Sequence, residues 1–540
     1  MFKKILKYIK FKRFLKAEQK SACQNMSYFD DSYVLHKPLE DNISNLKKLL
    51  GHSDDIIFRE FYFGVKQNRK AFVCFIDGLG DKKLINEYIV KSLMVNSHII
   101  DSENKIAEKH DMFNYLKEYI LNIVESDDVN NFNEAVDAIL SGDTLLLIDG
   151  IDKGFSISAK GGEKRSIEAP QTEVVVRGSR ESFVETLRVN TSMLRRIIKN
   201  INLVFEPFTA GKQTRTNISI AYIKGIANEK IIEEVRNRLN RIDIDSILES
   251  GYIEQLIEDN PLSPFSTIGN SERPDKVAAK LLEGRVAIIC DGTPVVLTVP
   301  YLFIESLQVS EDYYSRPFLT TVIRMLRVIA LVITLTLSAL YVALTTFHQE
   351  MVPTVLLVSI AASREGTPFP LFLETLLSET IFQLLRESGI RMPRAVGQAV
   401  SIVGTLVIGE AAVTAGIIGA PMVIITSLSA ICSFIIPSIY DAIFIFKFML
   451  IFLSGAFGLF GVTVGLLCIL VHMCSLRSFG TPYMAPFAPT IWKDLKDSIV
   501  RFPLWLLKSR PKSIDGDSSK RQSEAQMPGS PDKKRGGKVN

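Results

Sequence analysis

The sequence is poor in the residues that build most catalytic and metal centres. Its 540 residues hold six cysteines, six histidines and two tryptophans. Cys23, Cys74, Cys290, Cys432, Cys468 and Cys474 form no C-x-x-C pair, so neither a disulfide framework nor a zinc site is expected, and the thiols read as reduced and buried. No G-x-x-x-x-G-K-[ST], H-E-x-x-H or G-x-S-x-G stretch is present. Residues 210–216 (AGKQTRT) contain Gly-Lys but lack the upstream glycine and the hydroxyl that a phosphate loop requires. These absences argue against an enzyme and against a bound cofactor or metal. A net charge of +4 is too small to suggest a nucleic-acid partner. The N-terminal stretch MFKKILKYIKFKRFLKAEQK has no uninterrupted apolar core, so it does not read as a cleavable signal peptide.

What the chain does have is apolar sequence in one block, residues 316–476. Residues 328–347 (VIALVITLTLSALYVALTTF) run uncharged for 20 positions. At about 1.5 Å per residue that crosses a hydrocarbon core of about 30 Å. Arg316, Arg324 and Arg327 precede it and read as cytoplasmic charge. Residues 351–385 read as a broken span, interrupted at 364–370 (REGTPFP), with Gly366, Pro368 and Pro370 as its hinge. The loop 386–394, with Arg386, Arg391 and Arg394, reads as cytoplasmic. Residues 395–420 form a glycine-rich span, 421–437 a candidate re-entrant piece, and 442–474 a long final span. Four crossings would place both termini in the cytoplasm. Glu374, Glu379 and Glu410 are acids in apolar sequence, costly unless they face protein or water, and are the candidate ion-pathway residues. For Glu410 the alternative is a hydrogen-bonded contact with a neighbouring helix or subunit; of Glu374 and Glu379, one reads as lining a pore and the other as sitting at an interface. Glu374 and Glu379 are about 140° apart on a helix and so do not share a tight face.

Ahead of the block, residues 1–27 form a basic amphipathic segment suited either to an anionic lipid surface or to a solvated tail. Residues 28–66 read as helical and mixed, and the first clear strand is AFVCFI at 71–76. Two stretches then recur. FIDGLGDKKLINE and YIKGIANEKIIEE align Gly78 with Gly225, 147 residues later; LSGDTLLLIDG and LEGRVAIICDG align Gly150 with Gly292, 142 residues later. Near-equal offsets imply two related α/β subdomains, at 28–215 and 216–315. Arg177, Arg180, Arg188, Arg195 and Arg196 read as a solvated, locally ion-paired helix face in preference to a binding surface. Residues 477–506 form a membrane-proximal segment, and 507–540 (Ser, Pro, Gly and charge) a disordered basic tail. The fold class expected is thus an α/β soluble region of two subdomains, an α-helical polytopic membrane domain and a disordered tail.

Several of these stretches resemble the A subunit of the GerA family of spore germinant receptors, over about residues 70–506. They are GSRESFVETLRVNTSMLRRIIKN, SIAYIKGIAN, VPYLFIESLQVSEDYYSRPF, the run from SREGTPFPLFLETLLSETIF to TLVIGEAAV, and SFGTPYMAPFAP. Where the family often has Gln after Ile-Gly, this chain has Glu410. The resemblance implies a role in nutrient-triggered germination, in the spore inner membrane. It implies partnership with a transporter-like B subunit and a lipoprotein C subunit, and self-association into a cation-conducting path. A paralogous subunit attached to the spore dipicolinate channel has the same architecture, and a non-conducting scaffold is the further alternative.

Overall fold

Residues 56–299 build two five-stranded antiparallel sheets of identical strand order. The structure, a computed structural model, describes residues 34–64, 69–95, 113, 116–117, 126–161, 173, 175–391, 409–514 and 520–522. The basic segment 1–27, the first part of the 395–420 span and most of the tail lie outside them. The chain forms two compact units. One comprises Met1–Ile257, Ile268–Pro300 and Pro503–Asn540; the other comprises Glu258–Thr267 and Tyr301–Phe502.

In the first unit, one sheet has β1 (Ile56–Phe63), β2 (Arg69–Ile76), β3 (Ser126–Val129), β4 (Thr144–Ile148) and β5 (Gly154–Ile157), in the order β1-β2-β4-β5-β3. The other has β6 (Leu203–Ala210), β7 (Thr216–Ile223), β8 (Gly269–Ser271), β9 (Val286–Cys290) and β10 (Val296–Val299), in the order β6-β7-β9-β10-β8. The unbroken apolar run at 71–76 has a simple cause. Ala71, Val73 and Phe75 enter one core, while Phe72, Cys74 and Ile76 enter another, so both faces of β2 are covered. Helices α1 (Leu39–Leu50) and α2 (Phe132–Leu140) supply the second core. The corresponding face of the second sheet is covered by α3 (Leu187–Ile197) and α6 (Pro274–Leu282); α4 (Glu229–Asn240) and α5 (Ser250–Ile257) lie between β7 and β8.

The duplication extends to single hydrogen bonds. Asn42 and Asn190, both buried, each clip the strand of chain six residues before them. Asn42 Nδ2 donates to His36 O at 2.6 Å, and Asn190 Nδ2 donates to Val184 O at 2.6 Å. The reciprocal amides donate back at 2.9 and 2.8 Å. Asp149 Oδ1 accepts from Leu39 N at the start of α1, and Asp291 Oδ1 from Leu187 N at the start of α3. These are N-terminal anchors of helices by a carboxylate from a distant hairpin. Gly150 and Gly292, the turn residues of those hairpins, have φ of 86° and 90°.

The structure corrects the sequence reading here. Residues 56–63 are strand β1, not helix; Phe61 and Phe63 are buried while Arg59 and Glu60 are not, an edge-strand pattern hidden by its charges. The second repeat begins ahead of residue 216, because β6 and α3 both pack with it. The tail is not wholly without structure. Leu507 and Ile514 are buried, Arg510 Nε donates to Leu282 O at 2.8 Å at the C-terminus of α6, and Arg521 lies 3.6 Å from Glu283. A cation at that end meets the free carbonyls of the helix.

The second unit is helical: α7 (Pro317–Phe347), α8 (Thr354–Arg364), α9 (Leu371–Arg391), α10 (Gly409–Thr414), α11 (Ala420–Phe434) and α12 (Tyr440–Ser475). Among the described residues two helices are long and apolar enough to cross a membrane, Pro317–Phe347 and Pro437–Ser475; Thr354–Arg364 and Ala420–Phe434 are shorter. The interruption between α8 and α9 falls at residues 365–370. Helix α9 continues through Arg391, so Arg386 is helical rather than part of a loop, and its guanidinium lies 3.0 Å from the ring centre of Tyr440.

The long final span is two limbs. Gly458 has φ 58° and ψ −139°, inside α12. The ring centres of Phe446 and His472 are 6.4 Å apart. In a straight helix residues 26 positions apart would lie about 39 Å from each other. A Cβ at Gly465 would sit 2.5 Å from Leu450, and one at Gly461 would sit 2.1 Å from the Leu453 carbonyl oxygen. The chain therefore reverses at Gly458, and a G-x-x-x-G pair lets the limbs touch. No side chain is tolerated at the apex, where a Cβ would meet Phe347 at 2.8 Å.

Asn190→Ala is expected to cost about 2 kcal/mol by stranding two buried backbone groups, read as a lower urea midpoint for the α/β unit. Gly458→Ala is expected to lower the thermal midpoint of the detergent-solubilised chain and to leave the urea midpoint of the α/β unit unchanged.

Candidate functional site: paired charges inside the helical unit

A carboxylate in an apolar helix persists only when something donates to it. Glu374 is fully buried. Its Oε2 accepts from Arg364 Nε at 3.1 Å and its Oε1 from the backbone amide of Gly419 at 2.7 Å. Arg364 ends α8 and Gly419 is the N-cap of α11, so one carboxylate joins both sides of the interruption to the start of a third helix. Gly366, Pro368 and Pro370 lie on the exposed side of that interruption; Pro370 O accepts the amide of Glu374 at 3.1 Å, and the Gly366 carbonyl faces Gly416, whose φ is 64°. Tyr341, also buried, brings a hydroxyl with no hydrogen-bond partner among the described residues.

Glu379 is 3% exposed and paired differently. Lys447 Nζ donates to its Oε2 at 2.6 Å, and Ser338 Oγ donates to its Oε1 at 2.5 Å. Lys447 also donates to Ser429 Oγ at 2.8 Å. Helices α7, α9, α11 and the first limb of α12 thus meet at one ion pair. Glu410, on α10, is exposed and distinct from both clusters. The structure therefore brings Glu374 and Glu379 inside on separate partners and leaves Glu410 out. The partners Arg364 and Lys447 were missed by the sequence reading. Their signal was a basic residue in apolar surroundings with no stated counter-charge.

A third cluster sits at the start of α7. Arg324 is 1% exposed and donates to Asp312 Oδ2 at 2.8 Å, Asp497 Oδ1 at 2.9 Å and Ser498 O at 2.9 Å. Arg327 makes a two-pronged contact to Asp312 at 2.8 and 3.0 Å. These arginines, read from sequence as topological charge, also tie the chain before α7 to the chain after α12.

In the α/β unit, three of the five arginines of 177–196 form described ion pairs: Arg188, Arg195 and Arg196. Arg195 is fully buried. It reaches Asp55 through Nε at 2.9 Å and Nη2 at 2.8 Å, Ser53 Oγ at 3.1 Å and Asn200 O at 3.0 Å. Ser53 also accepts from Phe205 N at 3.0 Å, so this knot fastens the first sheet to the second. Arg188 pairs with Asp54 and Arg196 with Glu181. On the second sheet burial pulls the Glu206 carboxyl upward, but the Arg236 and Tyr222 hydrogen bonds outweigh it and hold the group below the usual range. Burial, aided by Glu249 and Asp291, pushes the Cys290 thiol up to about 12, and burial alone raises Cys74, so both are inert thiols. Cys468 and Cys474 are exposed, contrary to the expectation of burial. Among the described residues no group of three or more His, Cys, Asp or Glu is placed to hold a metal ion.

The fold and these clusters define a class of protein in which a duplicated antiparallel α/β unit is joined to an apolar helical unit with internally compensated charge. Comparison places it further. The family model described as Bacillus/Clostridium GerA spore germination protein matches residues 44–513, and the chain belongs to that family. It is 46% identical to spore germination protein KA of Bacillus subtilis (strain 168) over 92% of this chain and 90% of that one. It is 38% identical to spore germination protein GerLA of Bacillus cereus, over 89% and 97%. It is 41% identical to the uncharacterized membrane protein YfkQ of B. subtilis (strain 168), over 91% and 94%. The crystal structure of the N-terminal domain of the A subunit of the Bacillus megaterium spore germinant receptor GerK3 is 39% identical, covers 50% of this chain and 97% of that chain, and superposes with a TM-score of 0.40.

Arg195→Met leaves Asp55 buried without its cation and is expected to cost about 3–5 kcal/mol, whereas Asp55→Asn with Arg195→Met together should cost less; urea unfolding of both variants compares them. The Glu206 pair is partly solvated, so Glu206→Gln is expected to cost only about 1 kcal/mol. Because the folded carboxyl titrates below the ordinary glutamate range, its contribution is present above that range and lost as pH falls through the lower folded value. The difference between wild type and Glu206→Gln should therefore be full at pH 7 and vanish in strong acid.

Proposed function

We propose that the chain is the A subunit of a spore germinant receptor. In this reading it takes part in nutrient-triggered germination as an oligomeric component of a ligand-gated cation-release channel. The observation that carries the reading is the family match along almost the whole chain, through both units. The helical unit crosses the spore inner membrane several times, and the α/β unit faces the spore core. A transporter-like B subunit and a lipoprotein C subunit are its partners, with further copies of itself and the surrounding lipid. It binds no nucleic acid, carries no cofactor and catalyses no reaction. Glu374 and Glu379 are the acids proposed to bear on ion release, through the helix packing they hold; Glu410 contributes from the surface of the unit. One observation favours a second reading, a non-conducting scaffold: both buried acids are already matched by cations, Arg364 and Lys447. The dipicolinate-channel paralogue is distinguished by the genes beside this one.

The test is potassium release from spores lacking the native gene and complemented with wild type, Glu374→Gln, Glu379→Gln or Glu410→Gln, after addition of mixed amino acids and sugars. Release should fall at least about tenfold for the two buried positions, as loss of a buried partner implies, and by a smaller factor for Glu410→Gln. Unchanged release in all three removes the acids from the mechanism. Liposomes holding the purified chain with its partners then separate channel from scaffold by conductance.

A further inference from the structure

Of the paired charges above, the Glu379 site differs in kind. Its counter-charge is a lysine ammonium, a compact sphere of charge on a flexible stem, where Glu374, Asp55 and Asp312 each face a planar guanidinium. Nζ of Lys447 is held by oxygens, Glu379 Oε2 at 2.6 Å and Ser429 Oγ at 2.8 Å. Those oxygens are themselves fixed. Ser338 donates to Glu379 Oε1 at 2.5 Å, which turns Oε2 toward Nζ. Ser429 Oγ donates to Thr334 O at 3.3 Å, which turns its lone pairs toward Nζ. A cavity of about 10 Å³, room for one water, adjoins the pair; Thr334, Gln383, Ser429, Ser433 and Tyr440 line its polar side with the two charged residues, and apolar side chains close the rest.

An oxygen cage that fits an ammonium also fits a free monovalent cation, since both are small, spherical and held by oxygen lone pairs. One carboxylate, one fixed hydroxyl oxygen and room for a water give a single negative charge. That suits a monovalent ion and falls short of the several carboxylates a divalent ion takes from protein. We propose that Glu379 and Ser429, with Ser338 aligning the carboxylate, form a monovalent-cation site, potassium-sized, which Lys447 fills with its own ammonium in this conformation. The side chain acts as a tethered cation, and withdrawal of Nζ along its four-carbon stem vacates the site for a free ion. The inference concerns binding and stands apart from conduction, so it survives or fails independently of the channel reading.

The test uses the purified full chain in detergent, with melting compared in potassium chloride and in N-methylglucamine chloride at about 100 mM, a concentration chosen to saturate a millimolar site. Wild type should melt alike in both, its site being filled. Lys447→Ala should melt lower than wild type in N-methylglucamine and recover by about 3 °C or more in potassium, and likewise in methylammonium. Lys447→Ala combined with Glu379→Gln should show no response to either ion. Lys447→Ser also empties the cage, keeps a small hydroxyl at its edge, and serves the same comparison where the alanine variant is poorly folded. A folded Lys447→Ala or Lys447→Ser that ignores potassium overturns the proposal. So does failure to recover either variant in potassium buffer, because a cage open to the free ion would be stabilised by it.

Discussion

Charges buried with their partners tie together elements that lie far apart in the sequence of each unit. Taking an ion out of water costs several kcal/mol, which a partner of good geometry offsets and an absent partner does not. Arg195, Arg324, Glu374, Glu379 and Lys447 are all nearly inaccessible, and each meets its counter-charge on a different element of the same unit. Such pairs add little net stability over an apolar core, but they penalise every arrangement in which the partners are apart. They act as register marks. Asp55 and Arg195 fix one sheet against the next, Glu374 fixes the interruption between α8 and α9 against α11, and Glu379 with Lys447 fixes four helices at a point.

The α/β unit shows how a duplicated design diverges while keeping its joints. Strand order, the asparagine clip and the aspartate that anchors a helix all recur. What differs lies at the faces where the copies meet other chain. Asp55 has its hydrogen-bonded loop in the first copy and Arg195 comes from the helix of the second, so the two halves are no longer interchangeable. An asymmetric contact between similar modules permits one relative placement and disfavours the reverse.

Much of this was legible in the amino-acid sequence, and the failures have physical causes. The repeat was visible because Gly78, Gly150, Gly225 and Gly292 all hold positive φ, a demand that few other residues meet. β1 was not visible, because Arg59 and Glu60 interrupt its apolar alternation on an edge. The acids at 374 and 379 stood out against apolar neighbours, but their partners lie 10 and 68 positions away, and no local pattern encodes such pairings. Arg324 and Arg327 were read only as cytoplasmic charge, because composition cannot distinguish a flanking arginine from a buried, paired one. The reversal at Gly458 was hidden because a glycine-rich apolar run reads the same whether it is straight or folded back.

That reversal has a consequence for how crossings are counted. A limb that enters an apolar layer and returns begins and ends on one side of it. In a bilayer, Tyr440 and Ser475 would then share one face, so the segment that carries Arg477 and Arg501 re-emerges on the side from which the last helix entered, and the longest apolar run of the chain adds no net crossing.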